Sequence, residues 1–494
     1  MAKKENKSLL EKLLGLFAEV KAGEGLLAII MTLNIFLVLN AYYVLKPIRD
    51  SLITNAVLFG ITGDELAAYL QAVMAFLLLF VVRGYGQLAS RVNRIKLLNL
   101  TTSFVVACVL LFYVLLRILK IDGAGIAIAY FVWLGIINVF IIAQFWSYAN
   151  DIYTEKQGKR LFAIIAIGQA TGAIFGSWLS KTYGVKYTFV LLFSAAVVLA
   201  FCQILYNVIN KRVADHGTGA VEEEETATNQ VEEPLSKDGG FQLVLRSKYL
   251  LYIALMILVA NLVNTTGEFL IKNTFRAESA KYYPDDMYTE GWVARVEAGE
   301  QELPDKFAKS NVVVIANENA REEELKTLRK GFGTSFFGSF YFWVNLCVAI
   351  IQMFLVSRIF KFLGVRMALF ALPLIAVAGN LFFGFVGTLL ALRISKTAEN
   401  STDYSLQNTV KQALFLPTTR EEKYKAKAAT DTFFVRLGDA LSAGLVALGT
   451  YVLLFSREQF AFANVALGVV WIFICIKLFR EHKRLVPDDG KPTE

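Results

Sequence analysis

Three runs of this 494-residue chain place ionisable side chains inside otherwise apolar stretches. In Asn40-Ala-Tyr-Tyr-Val-Leu-Lys46-Pro47-Ile-Arg49-Asp50, Lys46 and Arg49 stand three apart and share one helix face. An ammonium and a guanidinium on one face can clamp an anion through charge-assisted hydrogen bonds. They also suit snorkelling at a membrane interface, with Asp50 pairing to Lys46. In Asn261-Leu-Val-Asn264-Thr265-Thr-Gly-Glu268-Phe-Leu-Ile-Lys272 the polar residues recur at helical spacing and form one stripe. Bonding between helices accounts for the amides and hydroxyls of that stripe. Glu268 points instead to a cavity-lining face. The third run, Arg393 to Lys411, is too polar to face lipid. Asn400, Tyr404, Gln407 or Asn408, and Lys411 fall on one face, with Lys411 inside the span. A charge at mid-bilayer costs about 2.5–3.5 kcal/mol, so each of these groups needs a partner, a cavity or a purpose.

Other chemistry has little raw material. The two histidines, His216 and His482, lie in charged stretches, so neither a zinc site nor a histidine triad is expected. Cys108, Cys202, Cys347 and Cys475 sit in apolar runs without Cys-x-x-Cys spacing and read as small buried hydrophobes. No phosphate-cradling G-x-x-x-x-G-K-[ST] loop is present. Gly168, Gly172 and Gly176 read as a small-residue packing stripe. Phe145-Trp146-Ser-Tyr148 reads as an interfacial aromatic anchor. No cofactor, no metal and no enzymatic activity are expected.

The elements that must position these residues are membrane helices. The composition is 56% hydrophobic and 19% charged, with mean hydropathy +0.50. Candidate spans are Leu26–Leu45, Leu66–Val82, Leu98–Leu116, Gly125–Tyr148, Leu161–Leu179, Tyr187–Ile209, Tyr249–Ile271, Phe332–Val356, Met367–Val386, a polar segment near Tyr404–Leu416, Ala428–Leu454 and Phe460–Phe479. About twenty apolar residues suffice to cross the hydrocarbon. The fold class is therefore all-α: a polytopic membrane protein of about twelve transmembrane helices in two six-helix halves. The expected organisation is a cytoplasmic amphipathic N-terminus at 1–25, a first half at 26–209 and a cytoplasmic linker at 210–248. A second half follows at 249–479, with an external insert at 276–330, and a cytoplasmic tail at 480–494. No cleavable signal peptide is read at the start.

Basic residues collect on one side, as at Arg91, Arg94 and Lys96, at Lys156, Lys159 and Arg160, at Arg358, Lys361 and Arg366, and in both tails. That side is cytoplasmic by the positive-inside rule. Orientation alone accounts for the +8 net charge, and nucleic acid is not an expected partner. The halves look related. The loop around Ser90 and Arg91 has a counterpart at Ser357 and Arg358, and Ile167-Gly168 has one at Leu437-Gly438.

These residues resemble the nucleotide transporter family, the ATP/ADP exchangers of plastids and obligate intracellular bacteria, itself similar to the major facilitator architecture. The likeness rests on Lys46-Pro-Ile-Arg49-Asp50, on Phe145-Trp146-Ser-Tyr-Ala-Asn150-Asp151 with Lys159-Arg160, and on Asn261-Leu-Val with Glu268 and Lys272. It extends to Gln407-Asn408, Lys411, Pro417-Thr418-Thr-Arg420-Glu421 and Lys425-Ala-Lys427 through Asp431 to Arg436. The resemblance implies that Lys46, Asp151, Glu268 and Lys411 matter for transport. It departs from the family in having Asp151 where Glu is usual, an insert over about Tyr288 to Lys330, and Ile271 where the family has Trp before the lysine.

The expected function is exchange of nucleotides of the ATP/ADP type by alternating access, in a multi-pass inner membrane protein that is a monomer with both termini cytoplasmic. The substrate-facing residues are Lys46, Arg49, Asn150, Asp151, Asn264, Glu268, Lys272, Gln407, Asn408 and Lys411. On the cavity faces Lys46, Arg49 and Lys411 outnumber Glu268 and Asp151. Two alternatives stay open: a carrier of another organic phosphate or carboxylate, and a membrane sensor that uses the external insert. The topology has a direct check. Cysteine at Ser310 should react with an impermeant thiol reagent on intact cells, and labelling only after permeabilisation would overturn the orientation.

Overall fold

The computed structural model describes residues 11, 20, 21, 23–89, 91–121, 123–153, 155–216, 240–301, 303, 312–419, 422 and 426–486. In hydrocarbon each segment must satisfy its own backbone hydrogen bonds, and the apolar runs accordingly form helices. Helix α1, Gly25–Thr54, is followed by a hairpin of β1 (Val57–Leu58) and β2 (Ile61–Thr62), whose turn residues Phe59 and Gly60 both have positive φ. The helices α2 (Gly63–Ala89), α3 (Arg94–Tyr113), α4 (Ala124–Ile152) and α5 (Glu155–His216) come next. After α6 (Gly240–Arg246) come α7 (Lys248–Tyr282), α8 (Glu290–Glu297), α9 (Glu318–Ile350), α10 (Val356–Ala368) and α11 (Ala371–Val386). Helix α12 (Leu389–Thr402) passes through a π-helical turn, Asp403–Gln407, into α13 (Asn408–Leu414). The chain ends with α14 (Lys427–Ala429), a π turn at Thr430–Phe434, α15 (Val435–Ala447), a further π turn at Leu448–Val452, and α16 (Arg457–Leu485).

Among the described residues eight helical stretches are long and apolar enough to cross a membrane. The chain is an all-α polytopic membrane protein. Two candidate spans, Leu161–Leu179 and Tyr187–Ile209, form the single long α5, bent where Tyr187 leaves helical geometry at φ −125° and ψ 29°.

The chain makes two compact units. One is built from Met1–Arg49, Phe76–Glu233 and Thr334–Phe342, the other from Asp50–Ala75, Pro234–Gly333 and Trp343–Glu494. In the first unit the small-residue stripe of α5 lies directly on the backbone of α1. A Cβ on Gly168, Gly172 or Gly176 would stand 2.4, 2.2 and 2.3 Å from the carbonyl oxygens of Thr32, Phe36 and Asn40. Each glycine meets α1 one turn further along, which is the close approach that small residues permit. Below this seam the Arg160 guanidinium grips the fully buried Glu24 carboxylate at 2.9 and 3.0 Å, and Gln157 Nε2 adds a bond of 3.2 Å. Burial pushes the Glu24 carboxyl up, but the Arg160, Lys21 and Gln157 hydrogen bonds outweigh it and hold the group below its ordinary value.

In the second unit Gly438 of α15 makes a contact of the same kind on α7, where a Cβ would lie 2.7 Å from the Leu258 carbonyl oxygen. One turn on, the Ser442 and Thr266 hydroxyls are 2.9 Å apart. The segment read as a polar insert at 276–330 is more ordered than its composition suggests. Helix α7 runs on to Tyr282, α9 begins at Glu318, and Tyr283, Met287, Tyr288, Trp292 and Leu325 form a small apolar core between them. Burial pushes the Tyr283 and Tyr288 phenols up to about 12. His482, expected in a solvated stretch, is buried and accepts from Arg366 Nε at 3.4 Å, because α16 continues past the apolar run into the charged tail. The proposed linker starts inside α5 and ends beyond α6, and residues 217–239 lie outside the described chain, as do Ser310, 487–494 and most of 1–25.

Two outcomes follow from these contacts. Gly172→Leu should abolish most of the folded yield, because no rotamer relieves a Cβ 2.2 Å from a backbone oxygen; a monodisperse, fully expressed variant would disprove the seam. For Glu24 the folded carboxyl lies below its ordinary value of 4.5. Its stabilisation is therefore present above that value and disappears as pH falls through the lower, folded one. Glu24→Gln should cost about 1.5–3 kcal/mol near neutrality. Thermal melts of the two proteins should converge as pH falls through the lowered carboxyl value.

Candidate functional site

Helix α1 continues without a break through Pro47, which carries no N–H to donate. Lys46 and Arg49 lie past its middle and are buried, only 8% and 6% exposed, so neither is a snorkelling interfacial residue. The Lys46 Nζ stands 4.0 Å from the centre of the Tyr341 ring and 5.5 Å from that of Tyr43. The Arg49 guanidinium covers Phe131 at 4.7 Å. Aromatic faces attract desolvated cations in this way.

Asn150 and Asp151 are exposed at the C-terminal end of α4. Asp151 is 3.5 Å from Arg94, the first residue of α3, and both line a cavity of about 220 Å³ with Tyr85, Gln144 and Tyr148. Gln144 is fixed there, donating to Tyr85 at 3.0 Å and to Thr101 at 2.8 Å. The Phe145 and Tyr148 side chains, expected as interfacial anchors, are buried within this unit; Tyr148 packs edge-on to Tyr206 at 5.5 Å. Their faces are taken up by neighbouring helices rather than by headgroups.

The polar stripe of α7 divides among three ionic contacts inside the second unit. Asn261 Nδ2 donates to Asp439 Oδ1 at 2.6 Å and to the Val435 carbonyl at 2.7 Å. Thr265 donates to the same Asp439 oxygen at 2.8 Å, and Arg436 holds the other at 3.1 Å. Lys396 of α12 donates to Glu399 at 2.8 Å and to Asn264 Oδ1 at 2.9 Å. It fits because residue 267 is glycine: a Cβ there would lie 2.8 Å from the Lys396 Nζ. Glu268 pairs with the buried Lys272 at 3.6 Å. Sequence reasoning named neither Lys396, Glu399, Asp403 nor Asp439. The one available signal was the i,i+3 spacing of Lys396 with Glu399 and of Arg436 with Asp439. With them included, the count of cations over acids drawn from Lys46, Arg49, Lys411, Glu268 and Asp151 is incomplete.

Asn261, Asn264, Asp403, Gln407 and Lys411 line a recess of about 40 Å³ in this unit, closed by Ile257, Ala260 and Val435. Membership differs from the expected stripe of Asn400, Tyr404, Gln407 or Asn408 and Lys411. The π turn at Asp403–Gln407 adds residues to a turn and shifts the facing register. Asp403, Gln407 and Lys411 therefore share the recess, whereas Tyr404 is 38% exposed and Asn408 is exposed outside it. Among the described residues, Gln407 Oε1 is buried without a hydrogen-bond partner. A recess lined by an ammonium, a carboxylate and three amides can grip a polar, anionic ligand by hydrogen bonds.

Residues 127–290, which include Asp151, Glu268 and Lys272, match the family model described as TLC ATP/ADP transporter. ADP,ATP carrier protein 1 of Chlamydia muridarum is 21% identical over 378 residues, covering 69% of this chain and 62% of the carrier. ADP,ATP carrier protein 1 of Rickettsia typhi is 24% identical over 368 residues, covering 69% of this chain and 66% of the carrier. The matched stretch thus spans less than two thirds of the length of these relatives. In fold the chain resembles the nucleoside transporter NupG, with a TM-score of 0.53, 12% identity and coverage of 92% of this chain and 99% of that one. A peptide transporter POT solved with sulfate gives a TM-score of 0.53 at 14% identity, over 98% of this chain and all of that one. Residues 127–290 thus resemble the TLC ATP/ADP transporter family, and about two thirds of the chain is similar to bacterial ADP,ATP carriers.

Proposed function

We propose that this chain is a nucleotide exchanger of the ATP/ADP type that works by alternating access. The observation that carries the reading is Lys411 in a recess with Asp403, Asn264 and Gln407, in a chain matched to ADP,ATP carriers. A polar group of the nucleotide can replace the carboxylate as partner of the lysine, and hydrogen bonds from an ammonium are the strong ones. Lys46 and Arg49, buried against aromatic rings in the other unit, suit phosphate oxygens for the same reason. Asp151 lines the cavity of its unit with Asn150 exposed beside it. In the second unit the Glu268–Lys272 pair shares α7 with the recess-lining Asn261 and Asn264, while Asn408 stands outside the recess.

The architecture we propose is major-facilitator-like, with twelve spans in two six-helix halves at 26–209 and 249–479. The bend at Tyr187 lets α5 count as two passes, and α2, α11 and the joined α12–α13 supply three beyond the eight apolar stretches. The basic loops support a cytoplasmic reading of the linker 210–248 and both termini, with the insert 276–330 outside. Such carriers expose the bound substrate to each side in turn.

Proteoliposomes preloaded with ADP should take up labelled ATP, and efflux should be slow until a nucleotide is supplied outside. Lys411→Gln removes one charge-assisted bond worth about 1.5–3 kcal/mol, so half-saturation should rise roughly tenfold or more. Uptake indifferent to internal nucleotide would discard exchange and favour a uniporter or an ion-coupled carrier.

A further inference from the structure

We propose that Lys396 is a positioning residue for base selection: it fixes the rotation of the Asn264 amide, and Asn264 with Asn261 then distinguishes a 6-amino purine from its 6-oxo counterpart. The inference rests on the nucleotide reading above.

Lys396 is 2% exposed, and its Nζ has three acceptors in reach: Glu399 Oε1 at 2.8 Å, Asn264 Oδ1 at 2.9 Å and the Asn264 carbonyl at 3.4 Å. An ammonium carries three donors and no acceptor. Those contacts consume its hydrogen-bonding capacity, and Glu399 answers its charge, so it is not a phosphate ligand. Because the ammonium only donates, the Asn264 atom turned to it is the carbonyl oxygen, and the Nδ2 donor is left for the recess. Asn261 is held the other way. Its Nδ2 gives both hydrogens to Val435 and Asp439, and its Oδ1 acceptor is left over. The two residues stand three apart on one face of α7, and both line the recess. Of the two lining amides, Asn261 thus keeps an acceptor unused and Asn264 a donor. The unpartnered Gln407 Oε1 in the same wall adds an acceptor that wants a donor from a ligand.

A purine with an amino group at position 6 offers a donor next to a ring-nitrogen acceptor. Its 6-oxo analogue turns that pair around, with an acceptor next to a ring N–H. A locked pair of amides meets the first with two hydrogen bonds and the second with two mismatches. A free amide would rotate to accept either. At about 40 Å³ the recess admits the edge of a planar ring, not a whole nucleotide, which suits reading of an edge.

The probes are ADP and IDP, which differ in the group at position 6 and in the proton on the ring nitrogen beside it, competing with labelled ADP for uptake into proteoliposomes. The wild type should prefer ADP by roughly tenfold or more. Lys396→Met combined with Glu399→Leu removes both charges together and strands neither; the ADP-to-IDP ratio should fall towards one. Asn264→Asp keeps an oxygen for Lys396, retains the fold and deletes the donor, so it should lose the same preference even if the double variant fails to fold. A ratio unchanged in Asn264→Asp, or both analogues weakened equally in the double variant, would overturn the positioning role. A wild type that takes ADP and IDP alike would overturn base selection and leave exchange standing. A wild type that takes neither would remove the nucleotide reading, and this inference with it.

Discussion

An ion buried in hydrocarbon must be answered by another group, and the second unit is organised around that requirement. Lys272, Lys396 and Arg436 each lie within 3.6 Å of a carboxylate, two of them three residues away and one four residues away on the same helix. Pairing within one helix satisfies the charges before helices meet, so that α7, α12 and α15 can pack as nearly neutral surfaces. Breaking such a pair leaves a stranded charge, at a cost of about 3–5 kcal/mol. The cross-helix bonds are then left to amides and hydroxyls: Asn261 and Thr265 to Asp439, Asn264 to Lys396. Side chains that donate in fixed directions set the rotation of each helix more sharply than apolar packing would.

The positions of the helices were largely legible in the residue pattern, because twenty-residue apolar runs admit one backbone solution in lipid. The glycine stripe was legible too, since 168, 172 and 176 repeat every turn and each meets the α1 backbone. Helix ends were less so. Composition marks where the hydrocarbon stops, not where the helix does, and α7 and α9 both run beyond it. The insert hid a core because Tyr283, Met287, Tyr288 and Trp292 are thinly spaced among polar residues, without a period to betray them.

In the candidate site, the stripe on α7 and the presence of Lys411 in a lined recess could be anticipated; the company they keep could not. A helical wheel assumes 3.6 residues per turn, and the π turn at Asp403–Gln407 breaks that assumption at the decisive place. It exchanges Tyr404 and Asn408 for Asp403 among the residues facing Lys411. Lys396 and Glu399 escaped notice for another reason. In a segment already rich in polar residues, two more do not stand out, and only coordinates show that they are 2% and 5% exposed.

The seam between α1 and α5 also sets what drift each helix can tolerate. At Phe36 and Asn40 the atoms that meet Gly172 and Gly176 all belong to the α1 backbone. The demand for a hydrogen-sized side chain therefore falls on α5 alone. Any residue that keeps α1 helical supplies the same surface to the glycines. Over generations the two helices can diverge at unequal speeds. One is held to glycine, while its partner can acquire new side chains beside Lys46 without disturbing the joint.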